Sequence, residues 1–144
     1  KRQHYRIRYN YKMSDLEAAL GLQQLARLND FIRQRMEIAQ AYTKALSDCG
    51  LRLPSATADG DHMFYRYAVK AGNPFFIKEA LDKNGIEVIA PVHKPLHRYM
   101  RLSGRNFPNT ERAYREVISL PIYPALKENE FMKVVRAIRE ASVR

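Results

Sequence analysis

A helical pattern constrains this chain more than any other feature. Leu16, Leu20, Leu25, Leu28, Ile32, Met36, Ala39, Tyr42 and Leu46 recur at roughly helical spacing. Ser14, with Glu17 three residues on, reads as a capping box, and Asp15 adds negative charge at the positive end of the helix. Gly50 closes the pattern as a C-terminal cap. An unbroken helix over residues 14–49, at about 1.5 Å per residue, would be roughly 54 Å long. That exceeds the diameter of a compact domain of 144 residues, so the helix is expected to bend, break or reach beyond the domain. Gly21 weakens its first half, which predicts close backbone packing there, against another domain or subunit.

Shorter elements follow. Leu51–Pro54 reads as extended and residues 55–61 as a polar loop. Met63–Lys70, rich in aromatic and β-branched residues, reads as a strand. Asn73-Pro74 reads as a cap with proline at the first helical position, opening a helix over Phe75–Lys83 that Asn84-Gly85 closes. Ile86–Ala90 is expected as a second strand, and Pro91–Phe107 as an irregular loop with one turn near Arg98–Leu102. Asn109 or Thr110 would cap a helix to about Ile118, and Ser119–Pro124 is extended. Glu128–Ser142 is the last helix, with Phe131, Val134, Val135 and Ile138 on one face. The order predicts an α/β fold in which a long N-terminal helix is followed by a short sheet with helices packed on it.

The formal charge of +10 is unevenly placed. Residues 1–12 hold Lys1, Arg2, Arg6, Arg8 and Lys12 without an acid, and residues 88–110 hold Lys94, Arg98, Arg101 and Arg105 without one. The rest of the chain is close to neutral. Two positive loops on a neutral body suggest an anionic ligand such as a phosphate, a nucleoside diphosphate or a nucleic acid. No nucleic-acid motif on a defined element accompanies them, so nucleic acid is the weaker reading. No apolar run reaches the roughly 20 residues that span a bilayer, and no signal-peptide pattern is seen. The lone Cys49 reads as a small apolar residue near a helix end and suits a reducing compartment.

Candidate chemistry is sparse. Lys44, Lys78, Lys83 and Lys133 fall on polar helix faces, where a lysine is solvated rather than nucleophilic. Lys94 sits in the histidine-bearing loop and reads as a substrate or phosphate contact. His93 and His97 stand four apart without helical pattern or a nearby acid, a poor setting for a metal. His4 and His62 lie in polar stretches and read as surface residues. The tyrosines Tyr5, Tyr9, Tyr11, Tyr65 and Tyr67 could stack on a base or ring or pack inside.

Several ordered motifs run along the chain. They are Tyr9-Asn10-Tyr11-Lys12-Met13-Ser14-Asp15, then Ala18-Ala19-Leu20-Gly21-Leu22-Gln23-Gln24-Leu25. Phe31-Ile32 with Arg35, Ile38-Ala39 with Tyr42, and the Tyr65-Arg66-Tyr67 strand continue the series. Val92-His93-Lys94-Pro95-Leu96-His97, Phe107–Glu111 and Ser119-Leu120-Pro121-Ile122-Tyr123-Pro124 complete it. Together, over residues 5–142, these motifs resemble the DegT/StrS family of pyridoxal-phosphate-dependent sugar aminotransferases.

The resemblance implies a homodimer of the fold-type I architecture with its active site at the subunit interface. Residues 1–13 would be an active-site segment continuing from a large domain, and residues 14–144 the small C-terminal domain. The lysine that binds pyridoxal 5'-phosphate covalently would lie upstream of Lys1, so this chain by itself would hold no catalytic residue. Asn10 would reach the cofactor phosphate of the neighbouring subunit. Tyr9, Lys12, His93, Lys94 and His97 would contact the nucleotide-sugar substrate. For the loop of His93 and His97, the alternative is that these residues only shape a surface loop. The complete enzyme would move an amino group from glutamate to a nucleotide-linked keto-sugar in the cytoplasm, for surface polysaccharide or antibiotic sugars. A sugar dehydratase of the same family, or a non-catalytic basic binding or dimerising module, are the alternatives.

The chain departs from the family pattern at Arg8, where glycine is usual, at Lys12, where arginine is usual, and at Lys127, where Ser or Thr often caps the last helix. Lysine presents a point charge where arginine presents a planar fork, so a bidentate contact at Lys12 would be altered.

Overall fold

The computed structural model describes residue 9 and residues 11–55, 62–91 and 93–142. The chain divides into two compact units, Lys1–Asp30 and Phe31–Arg144.

In the first unit, α1 (Asp15–Ala26) begins at the expected capping box. Ser14 Oγ accepts from the Glu17 N–H at 3.3 Å, and Glu17 Oε2 accepts from the Ser14 N–H at 2.8 Å. These bonds hold the Glu17 carboxyl below its usual range. The long helix breaks at Arg27, whose backbone leaves helical geometry (φ −100°, ψ 0°) and whose N–H turns back to the Gln24 carbonyl at 3.2 Å. No residue of α1 is buried: Leu16, Leu20, Leu22 and Leu25 are 81, 62, 65 and 65% exposed. A Cβ added at Gly21 would meet nothing within 4 Å, so the close packing expected there is not made by the described residues.

The second unit holds the core. It contains most of α2 (Leu28–Ala45), then β1 (Tyr67–Lys70), α3 (Pro74–Lys83), α4 (Leu96–Tyr99), a 3-10 turn (Gly104–Asn106), α5 (Pro108–Glu116), β2 (Val117–Leu120) and α6 (Glu128–Ser142). The strands pair antiparallel, with Tyr67 opposite Leu120 and Val69 opposite Ile118, and these four side chains are buried together. Ala39 and Tyr42 of α2, Ile77 and Leu81 of α3, and Phe131, Val134, Val135 and Ile138 of α6 join them in one cluster. Each large apolar side chain enclosed there contributes about 1.5–3 kcal/mol. Tyr42 stacks near Tyr67 (5.1 Å) and Phe131 (4.7 Å), and its hydroxyl donates to the Pro121 carbonyl at 3.0 Å. Arg139 of α6 donates to the Ala45 carbonyl at 2.9 Å and to Asp48 at 2.8 Å, tying the end of α2 to α6.

The α/β class holds, with three local corrections. The strand expected over Met63–Lys70 starts only at Tyr67, because Phe64 takes a positive φ of 47° that ends extended pairing. Ile86–Ala90 forms no strand: Ile86 and Val88 are buried, but pairing is limited to a bridge between Ile89 and Ser119. α5 begins with Pro108 at its first position, ahead of the caps expected at Asn109 or Thr110. Elsewhere α3 starts from the Asn73 cap, whose side chain accepts from the Phe75 N–H at 3.1 Å, and α6 runs over Glu128–Ser142 as expected.

Candidate functional site

The histidine-bearing loop is more ordered than its sequence suggests. Pro91 and Pro95 restrict the backbone ahead of α4. Ser103 caps the 3-10 turn by accepting from the Arg105 N–H at 3.4 Å, and Pro108 opens α5. A carboxylate ties these pieces together. Glu111 Oε1 accepts from Arg98 Nε at 2.8 Å and lies 2.7 Å from His97 Nε2, while Oε2 accepts from Arg98 Nη2 at 2.5 Å. The Arg98 fork, then His97, hold the Glu111 carboxyl down at about 2. The same pairing raises the Arg98 guanidinium above its ordinary value. A carboxylate this acidic only accepts, so His97 Nε2 carries the proton in this contact.

His97 is therefore an interior residue. It is 5% exposed and stacks on Phe107 with ring centres 4.7 Å apart. The sequence offered no nearby acid because Glu111 stands fourteen residues away. His93 and Lys94 are exposed on the same loop, and Lys94 Nζ lies 4.7 Å from the centre of the Tyr99 ring. Behind the loop a largely apolar hollow of about 320 Å³ is lined by Pro91, Pro95, Ala113, Tyr114 and Val117 with Ala68 of β1 and Thr110. Among the described residues no cluster of His, Cys, Asp and Glu could hold a metal ion.

Tyr9 and Lys12 belong to the Lys1–Asp30 unit, whereas His93, Lys94 and His97 belong to Phe31–Arg144. Tyr9 is 68% exposed and stacks on Tyr11 at 5.5 Å. Lys12 is exposed. Asn10, Tyr5 and Arg8 lie outside the described residues. Tyr67 is buried in the core, but Tyr65 is exposed, with the Arg35 guanidinium 5.7 Å and that of Arg66 5.9 Å from its ring centre. These three line a hollow of about 280 Å³ with Glu87, Ile89 and residues 119–122. Arg35 also donates to the carbonyls of Tyr65 (3.1 Å) and Ile122 (2.9 Å), a link between distant segments with no signal in local spacing. Among the described residues every lysine is exposed. Among them too, no helix is long and apolar enough to cross a membrane.

Comparison with known proteins gives a consistent likeness. The sequence profile of the DegT/DnrJ/EryC1/StrS aminotransferase family matches residues 1–139. The chain is 34% identical to the spore coat polysaccharide biosynthesis protein SpsC of Bacillus subtilis (strain 168), across 92% of this chain and 37% of SpsC. It is 30% identical to a dTDP-3-amino-3,4,6-trideoxy-alpha-D-glucose transaminase of Micromonospora megalomicea subsp. nigra, across 92% of this chain and 38% of that enzyme. Among solved structures, DesV of S. venezuelae superposes with a TM-score of 0.85 at 25% identity, covering 97% of this chain and 41% of DesV. A DegT DnrJ EryC1 StrS aminotransferase from Brucella abortus superposes with a TM-score of 0.81 at 27% identity, covering 97% of this chain and 39% of that one. The chain thus spans a little over a third of the length of the curated relatives it matches.

Proposed function

Because this chain belongs to the DegT/DnrJ/EryC1/StrS aminotransferase family, we propose that it serves as the small C-terminal domain of a pyridoxal-phosphate-dependent sugar aminotransferase. The complete enzyme transfers an amino group, with glutamate as donor, to a nucleotide-linked keto-sugar destined for surface polysaccharide or antibiotic sugars. It acts as a cytoplasmic homodimer. The observation that carries this reading is the family match across residues 1–139, joined to relatives named for sugar transamination.

The residues present suit a supporting role toward the cofactor. When bound, pyridoxal phosphate supplies the electron sink for moving the amino group. Asn10, with amide donors and no charge, is the contact offered to the cofactor phosphate of the neighbouring subunit. Tyr9 and Lys12, both exposed, offer a hydroxyl and an ammonium to the substrate. His93 and Lys94 face outward for the anionic part of the substrate. His97 contributes by holding the loop in shape rather than by touching ligand, since it is 5% exposed and engaged by Glu111. The uncovered leucines of α1 support a larger body around this domain, because a helix apolar on most sides is usually enclosed.

The test uses both lengths of polypeptide. This chain alone should show no bound-cofactor absorbance and no amino transfer. The complete polypeptide, given glutamate and a nucleoside-diphosphate keto-sugar, should yield the amino-sugar and 2-oxoglutarate. Cofactor bound covalently to this chain alone, or a loaded complete polypeptide that forms neither product, overturns the proposal.

A further inference from the structure

Two helices of this chain end in the same hydrogen-bonded turn. At the end of α3 the Ile86 N–H donates to the Leu81 carbonyl (2.9 Å) and the Gly85 N–H to the Asp82 carbonyl (2.9 Å). At the end of α4 the Leu102 N–H donates to the His97 carbonyl (2.9 Å) and the Arg101 N–H to the Arg98 carbonyl (3.3 Å). Both are the paired bonds of a left-handed C-terminal cap. The left-handed position is Gly85 in the first, with φ +64°, and Arg101 in the second, with φ +56°. A side chain there crowds the following carbonyl, a cost that glycine avoids.

Phe64 is the other described non-glycine residue with positive φ, and its case differs. Its ring packs on the core and lies 4.2 Å from His62 and 6.2 Å from Tyr67, so burial offsets the backbone cost. Arg101 is exposed, and among the described residues no hydrogen bond, ion pair or ring contact holds its guanidinium. Arginine at a position that favours glycine, with its side chain unengaged, points from an observed outlier to use of that side chain.

The neighbouring cations narrow the use. Arg98 is neutralised by Glu111, His97 is turned inside, and Lys94 lies over Tyr99. Arg101 and Arg105 remain as outward guanidinium groups beside the exposed Lys94, and of these Arg101 alone stands at a left-handed position; its planar fork suits phosphate oxygens. We propose that Arg101 is an anion contact of the candidate substrate loop and takes the diphosphate of a nucleotide-linked ligand. This assignment rests on the reading of that loop as substrate-contacting.

The experiment pairs thermal melting with calorimetric titration of inorganic pyrophosphate at low salt, on the full 144-residue chain. Arg101→Gly relieves the backbone and removes the charge, so it should melt about 2–6 °C above the parent. It should also bind pyrophosphate about tenfold or more weakly. Arg101→Lys keeps charge and strain but loses the fork, and should fall between the two in affinity. Lys78→Ala, an exposed cation on α3, should change neither quantity. The assignment is overturned if Arg101→Gly melts at or below the parent, if its affinity is unchanged, if Lys78→Ala weakens binding as much, or if the parent does not bind pyrophosphate. A complete polypeptide that fails to transaminate while these results hold would sink the aminotransferase reading and leave Arg101 as an anion contact.

Discussion

Glu111 shows how a single side chain sets the form of a loop. Its two oxygens hold Arg98 by both arms and His97 by one, and both residues lie within α4. Gly104 is shaped to the same carboxylate: a Cβ there would lie 3.1 Å from Glu111 Oε1. The pairing also makes a pH-dependent contribution. The carboxyl stands near 2 in the folded chain against an ordinary 4.5, so the unfolded chain binds the proton more tightly. The stabilisation is therefore fully present above the ordinary value and is lost as pH falls from about 4.5 toward about 2. Glu111→Gln should lower the melting temperature near neutral pH by several degrees, roughly the shift that a moderate loss causes in a domain of this size. It should also flatten the fall in stability between those two pH values. Melts across that range would refute the role of Glu111 if parent and variant fell in parallel. None of this was legible from spacing, because the acid that turns His97 inward comes from α5 and meets the ring only after the loop has folded back.

At the scale of elements, periodicity was reliable where the chain supplies both faces of a contact. α6 runs over the expected residues because Phe131, Val134, Val135 and Ile138 recur on one face and the sheet and α3 cover them. The caps at Ser14 and Asn73 were legible because each rests on a bond within three residues. The strand expected at Ile86–Ala90 failed because burial of Ile86 and Val88 gives the same apolar signal whether or not ladder bonds form. α1 is the opposite case: its leucines belong to the same helical pattern as Ala39 and Tyr42, yet the described residues bury none of them. The two kinds of leucine should respond differently to truncation. Leu81→Ala, at a fully buried position of α3, should cost about 2–5 kcal/mol. Leu20→Ala, at 62% exposure on α1, should stay within about 0.5 kcal/mol in this chain. Chemical denaturation measures both, and equal losses would show that α1 is packed as firmly as α3.

For the molecule as a whole, that contrast sets an order of stability. The buried apolar cluster lies wholly within Phe31–Arg144, so global unfolding is governed by the sheet, α3 and α6. α1 keeps its helix through a capping box and local backbone bonds, and a helix of 12 residues is marginal in water without tertiary cover. Local opening should therefore release α1 at far lower free energy than the core. Native-state hydrogen exchange on the 144-residue chain should find α1 amides weakly protected, while those of Val69, Ile118 and the middle of α6 exchange only on global unfolding. In the complete polypeptide the same α1 amides should slow by orders of magnitude, because the body proposed around this domain would cover Leu16, Leu20 and Leu25. Protection of α1 equal to that of α6 in this chain would mean that the helix is held by contacts other than those described. Protection that stays low in the complete polypeptide would mean that its leucines face water there too, and the enclosing body would lose its strongest physical argument.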